Sequence, residues 1–209
     1  MTQIFWDVDT QHDFIAATGR LAVPGAEAIL PNLARLTAHA QAAGVRIVAT
    51  ADDHDIGHAE ISDTPDWKVT YPPHCMRGTP GQAKVRETTL RNPNVVHPVP
   101  LDREALQVAL RAHEGDILLL KPGTDIFRWN PNAEAVLHAL APTRVVVYGV
   151  ATDVCVVAAV DGLARRLPRA ELVVVQDAVA ALDAERGRAL LAEWSARGIS
   201  VTTTAQIVG

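Results

Sequence analysis

The sequence predicts an α/β fold in three layers, a mostly parallel sheet with helices on both faces. Two observations lead there. Six short β-rich runs, at residues 4–8, 45–50, 116–120, 144–148, 171–175 and 199–203, alternate with longer stretches of helical periodicity. Most of these runs are continuously apolar rather than alternating, as strands covered on both faces should be.

Between the first two runs, residues 26–43 place Ile29, Leu33, Leu36 and Ala40 on one stripe, the apolar face of a helix. Pro31 falls inside that pattern and is expected to kink or restart the helix, because proline has no N–H to donate. Residues 103–113 carry Leu106 and Leu110 on one side, and a shorter helix is expected over 132–140. Residues 152–167 are apolar nearly all round, with Val154, Val156, Val157, Val160 and Leu163, and so are expected to be buried. The last helix, 183–197, has Asp183 as its N-cap and Gly198 where it should stop. Residues 51–100 differ: they are rich in proline and turn signals, with little periodicity. A loop region of that length inside a compact fold is usually functional.

At 209 residues with 48% hydrophobic content, the chain reads as a single domain over 1–209 with a core of its own. A net charge of −5 offers no basic footprint for nucleic acid. No apolar run approaches the roughly 18 residues of a membrane helix. The start, Met1-Thr2-Gln3 leading into Ile4-Phe5-Trp6, has no charged region or cleavage pattern, so a cytoplasmic location is expected. Two cysteines 80 positions apart do not make a disulfide framework.

In open parallel sheets, ligands bind beyond the carboxyl ends of the strands. The residues just after each predicted strand are therefore the candidates. Asp9 follows the first, Asp52 and His54 the second, Lys121 the third, and Gly149-Val150-Ala151-Thr152-Asp153-Val154-Cys155 the fourth. A cysteine at a helix start gains thiolate character from the helix dipole, and a nearby lysine adds to it. A carboxylate within reach can take the thiol proton and return it to a leaving amine. Backbone N–H groups around Ala151 and Cys155 would serve as oxyanion donors. Taken singly, Cys155 reads more often as a small core residue, Asp9 at least as readily as a helix cap, and Lys121 usually as a solvated charge. Their fall on successive strand ends favours one shared site.

A second set, Asp52, His54, His58 and His74, offers carboxylate and imidazole donors of the kind zinc, iron or manganese accept. Cys75 beside His74 reads as a packed thiol. Phe14, Trp67, Tyr71, Phe127 and Trp129 are candidates for lining a pocket around a flat ligand, or for the core.

These residues resemble the isochorismatase-like cysteine hydrolases, and among them the metal-containing nicotinamidases. The resemblance spans nearly the whole chain. It rests on Asp9-Thr10-Gln11-His12-Asp13-Phe14, on Thr50-Ala51-Asp52-Asp53-His54, on Tyr71-Pro72-Pro73-His74-Cys75-Met76-Arg77-Gly78-Thr79-Pro80-Gly81, on Lys121, and on Gly149 to Val156. It implies a six-stranded Rossmann-like sheet, commonly in homo-oligomers. It implies a catalytic triad of Asp9, Lys121 and nucleophilic Cys155, and a cis peptide between Val150 and Ala151 that turns the Ala151 N–H into the oxyanion hole. It also implies a divalent metal, zinc first and iron or manganese next, held by Asp52, His54 and His74. In nicotinamidases that ion orients the substrate's ring nitrogen through bound water and does not generate the nucleophile.

The chain departs from the pattern in three places. Some nicotinamidases carry a further histidine six residues beyond the Asp-x-His histidine; position 60 here is Glu60, and His58 is the nearest histidine. Tyr71 stands where tryptophan is common, and residues 122–127 match no defined substrate. The implied activity is hydrolysis of a small amide through a thioester, with nicotinamide the leading substrate and no nucleic-acid or membrane partner. The alternatives are an isochorismatase-type hydrolase, disfavoured by Cys155, a ureido or carbamoyl amidase, disfavoured by the metal set, and a non-catalytic binding protein on the same fold.

Overall fold

A computed structural model describes residues 2–209. Its strands are β1 (Gln3–Val8), β2 (Arg46–Asp52), β3 (Asn94–Val96), β4 (Ile117–Lys121), β5 (Arg144–Val150), β6 (Glu171–Ala180) and β7 (Ser200–Thr202). They form one parallel sheet in the order β3-β4-β2-β1-β5-β6-β7. Among the described residues the sheet therefore has seven strands, not the expected six. The added strand, β3, is three residues long, lies at an edge beside β4, and leaves Val95 exposed. So short a run between turn signals has too little apolar pattern to be read from sequence.

The helices are α1 (His12–Ile15), α2 (Leu30–Ala42), α3 (Arg103–Ala112), α4 (Ile126–Trp129), α5 (Ala133–Leu140), α6 (Val157–Arg166), α7 (Ala184–Ala196) and α8 (Thr204–Val208). The stretch expected as one kinked helix is a 3-10 turn, Ala26–Ile29, followed by α2 with Pro31 in its first turn, where the missing N–H costs nothing. Asp102 caps α3 by accepting from the Ala105 N–H at 2.8 Å. Asp183 caps α7, and Gly198 ends it at φ +83°, a left-handed geometry that favours glycine. The stretch expected as a helix from residue 152 opens as a π turn, Thr152–Val156, before α6 begins.

Strand alternation divides the core. Ile4, Trp6 and Val8 face one apolar layer with residues of α3, α5, α6 and α7, while Phe5 faces the other with Leu33 and Leu36 of α2. β1 lies centrally, with β2 on one side and β5 on the other. The chain leaves β1 towards β2 but leaves β5 towards β6, so the two connections diverge and open a crevice at their carboxyl ends. Residues 51–100 are tied to the chain just after β1 by His12 N–H to Ala83 O at 2.8 Å and Val85 N–H to Thr10 O at 2.9 Å, and folded on themselves by Arg77 N–H to His54 O at 2.8 Å.

Candidate active site

Three of the candidate side chains meet at one ammonium. Asp52 and Lys121 end β2 and β4 in register with each other, so their side chains leave the same face of the sheet. Lys121 Nζ touches Asp52 Oδ1, lies 2.9 Å from Asp9 Oδ2, and is 3.7 Å from Cys155 Sγ. Asp9 sits just past β1 at φ +48°, and its Oδ1 accepts from the Thr50 hydroxyl at 2.6 Å. Cys155 lies in the π turn that follows β5. All of these groups are buried. The peptide between Val150 and Ala151 is cis, and the Ala151 carbonyl accepts the Val154 and Val156 N–H groups at 3.1 and 3.0 Å.

Burial and charge set the protonation of this cluster. Burial pushes the Cys155 thiol well up, and the Lys121 ammonium only partly opposes it. Removal of solvent disfavours the buried anion, and the ammonium at 3.7 Å works against that in favour of the thiolate. Burial likewise raises the Asp9 carboxyl against the pull of Lys121. Asp52 goes the other way: burial is overridden by Lys121 and the His54 and His74 imidazoles, which hold it well below the usual carboxylate range. Lys121 itself is held well above the ordinary lysine value, burial notwithstanding, by Asp52, Asp9 and Cys155.

Beside the ammonium, single donor atoms from Asp52, His54, Glu60 and His74 all lie within 4.8 Å of one another. His54 Nε2 and His74 Nε2 are each 3.5 Å from Asp52 Oδ2, and His74 Nε2 is 4.0 Å from Glu60 Oε1. His74 Nδ1 is bonded to the Pro72 carbonyl at 2.8 Å, which aims Nε2 into the group. Asp52 Oδ2 and both His54 ring nitrogens are buried without a hydrogen-bond partner among the described residues. Buried polar atoms are rarely left so, and two imidazoles with two carboxylates are the donors a divalent transition metal takes. The residues therefore fit such an ion. His58 is not part of this group; its Nδ1 accepts the Asp55 N–H at 3.1 Å, and Glu60 stands where a fourth ligand would be sought.

Two residues of the first motif hold this arrangement from behind. Gln11 Nε2 donates to Asp52 O at 2.8 Å, and its Oε1 accepts the Asp52 N–H at 2.7 Å. Asp13 Oδ2 accepts the Cys75 N–H at 2.8 Å, next to His74. Neither was assigned a role from sequence, although both lie in the quoted motif. A buried pair, Lys84 Nζ to Asp7 Oδ2 at 3.0 Å, with Lys84 also 2.7 Å from Thr10 Oγ1, was likewise unread. Its only signal is an aspartate inside an otherwise apolar run. Cys75 is a packed thiol.

Phe14, Leu21, Val23, Tyr71, Val154 and Leu182 wall a small pocket, which Asp52, Glu60, His74, Thr124, Ala151 and Cys155 also line. Of the expected pocket aromatics, Phe14 and Tyr71 are there. Phe127 is not: it stacks on Trp6 at 5.9 Å, with the Arg166 guanidinium 4.3 Å over its ring, because α4 turns it back towards the sheet. Trp67 is 61% exposed and lines only the outer cleft, 6.5 Å from Tyr71 ring to ring.

Fold and site together define a class. The sequence matches the isochorismatase domain over residues 6–98 and 102–206, and the chain belongs to that family. Within it the chain is nicotinamidase-like. It is 32% identical over 155 residues to a nicotinamidase/pyrazinamidase of Mycobacterium tuberculosis, covering 71% of this chain and 72% of that protein. Its fold superimposes on the pyrazinamidase of Pyrococcus horikoshii in complex with zinc, with a TM-score of 0.72, 25% identity, and 97% and 99% of the two chains covered. It also superimposes on a nicotinamidase/pyrazinamidase of Bacillus subtilis, with a TM-score of 0.73, 22% identity, and 97% and 100% covered.

Proposed function

We propose that this hydrolase acts on the carbon–nitrogen bond of a small, flat carboxamide, nicotinamide first, releasing nicotinate and ammonia through a thioester on Cys155. The observation that carries the reading is the contact of one buried ammonium, Lys121, with Asp9 and with Cys155, which lines an apolar pocket. Phe14, Tyr71, Leu21 and Val23 offer a wall for a ring, and the relatives' activities point the same way.

In this mechanism Asp9 takes the Cys155 proton as sulfur attacks the carbonyl carbon. The raised Asp9 carboxyl suits it to hold that proton and pass it to nitrogen, so the carbon–nitrogen bond breaks with ammonia as leaving group. Water then adds to the thioester; Asp9 accepts its proton and returns it to the departing sulfur. Lys121 keeps its charge throughout and offsets the negative charge that gathers on Asp9 and Cys155. The carbonyl oxygen takes its hydrogen bonds from the N–H of the Val150–Ala151 peptide and from the Cys155 N–H. Asp52, His54, His74 and Glu60 would hold a divalent ion, zinc first and iron or manganese next, which when bound supplies a Lewis-acidic centre for orienting the ring nitrogen.

The same reading takes a small molecule as partner and a homo-oligomer in the cytoplasm as the working state. Among the described residues no helix is long and apolar enough to cross a membrane. Ammonia release from nicotinamide by the wild type, and its loss in a folded Cys155→Ala variant, tests the reading. Undiminished turnover in that variant overturns it.

A further inference from the structure

Two residues before Cys155, Asp153 reaches out of the nucleophile's turn to the loop that joins β6 to α7. Its Oδ1 accepts the Leu182 N–H at 2.9 Å and its Oδ2 accepts the Asp183 N–H at 2.8 Å. One carboxylate thus binds two consecutive peptide groups, which fixes orientation as well as distance. The loop it grips is itself anchored. Asp183 Oδ1 accepts the Glu185 and Arg186 N–H groups at 2.8 and 3.1 Å, and Asp183 O accepts the Gly187 N–H at 2.8 Å. Gly187 lets α7 lie close: a Cβ there would stand 2.7 Å from the Ala181 Cβ and 3.9 Å from the Thr152 Cβ. Leu182, between these anchors, is a wall of the pocket.

We propose that Asp153 is a positioning residue that locks the Cys155 turn and the Leu182 wall into one rigid unit, so that nucleophile and ring pocket keep their mutual placement. A π turn is a widened single turn, found mostly as a short bulge in an α-helix rather than as a helix that propagates. An external clamp is what such a turn needs to hold Sγ in line. The clamp acts through backbone that touches the reacting atoms, not by touching substrate.

The inference rests on Cys155 being the nucleophile, and its test separates the two. Asp153→Asn keeps size but puts an amide NH₂ against one of the two N–H donors. It should lower kcat for nicotinamide about 10- to 100-fold, the scale of a displacement near 1 Å, and raise KM several-fold through Leu182. Asp102→Ala removes the comparable N-cap of α3, away from the Cys155 turn and the Leu182 loop. It should lower Tm yet keep kcat and KM within twofold. Equal kcat losses in the two variants, or an Asp153→Asn enzyme within twofold of wild type, overturns the proposal. Alkylation of Cys155 by iodoacetamide, located by mass spectrometry, gives a second readout that needs no substrate. A rate changed threefold or more in Asp153→Asn but not in Asp102→Ala supports the clamp, and equal rates in all three proteins overturn it. A wild type that leaves nicotinamide intact sinks the substrate assignment, and the alkylation rates then decide the clamp.

Discussion

Gln11 closes on the Asp52 peptide from both sides, donating to its carbonyl at 2.8 Å and accepting its N–H at 2.7 Å. β1 has already ended at Val8, and its neighbour's next bond, Asp9 N–H to Thr50 O, is stretched to 3.3 Å. The Gln11 side-chain amide thus continues the β1–β2 ladder where the backbone turns away. Gln11→Ala would orphan a buried N–H and a buried carbonyl, each worth about 1–3 kcal/mol. Urea unfolding should show a loss of that order. A midpoint unchanged from wild type would mean that water replaces the amide without cost.

Lys121 is the cation against which Asp9 and Asp52 are both buried. Lys121→Met keeps the stem and deletes the charge, leaving two carboxylates uncompensated. Breaking a buried pair in this way costs about 3–5 kcal/mol. Thermal unfolding should register it together with loss of ammonia release. Retention of both stability and activity would count against the charge balance described here.

The donor group at Asp52, His54, Glu60 and His74 predicts one divalent ion per chain, removable by a chelator with a fall in Tm. An ion at 100 times its dissociation constant contributes about 2.7 kcal/mol. Elemental analysis should find the metal depleted in His74→Ala and Glu60→Ala, and retained in His58→Ala, since His58 lies outside the group. Depletion in His58→Ala alone would reverse the assignment of Glu60 and His58.

Gly81 packs on the carboxylate that holds the His74 loop. A Cβ there would stand 2.1 Å from Asp13 Oδ2, the atom that accepts the Cys75 N–H. Gly81→Ala should therefore destabilise by about 1–3 kcal/mol, the usual range for overpacking, and weaken metal retention by loosening His74. Chemical denaturation with metal analysis of the same sample checks both; unchanged values in both would show that Asp13 shifts freely.

Much of the fold was legible because its signals are local. The apolar runs of β1, β2, β4 and β5, the Asp183 cap and the restart at Pro31 each depend on bonds within a few residues. β3 was missed for the same reason, since three residues paired only to a distant strand carry no local pattern. The candidate site was legible as types and places, Asp9, Asp52, Lys121 and Cys155 at successive strand ends, because a parallel sheet gathers those ends at one edge.

Sequence by itself determined the α/β alternation, the polar residues at the strand ends and the donor types of the metal group. Tertiary structure alone decided which of those residues meet. It put one ammonium among Asp9, Asp52 and Cys155, set Glu60 rather than His58 beside Asp52, His54 and His74, turned Phe127 towards the core, and buried the Cys155 thiol so that its proton is held more tightly. Spacing along a chain specifies what each residue can do. Strand order and the solvent removed by packing determine distances and charge states between residues dozens of positions apart, and no window of sequence contains either.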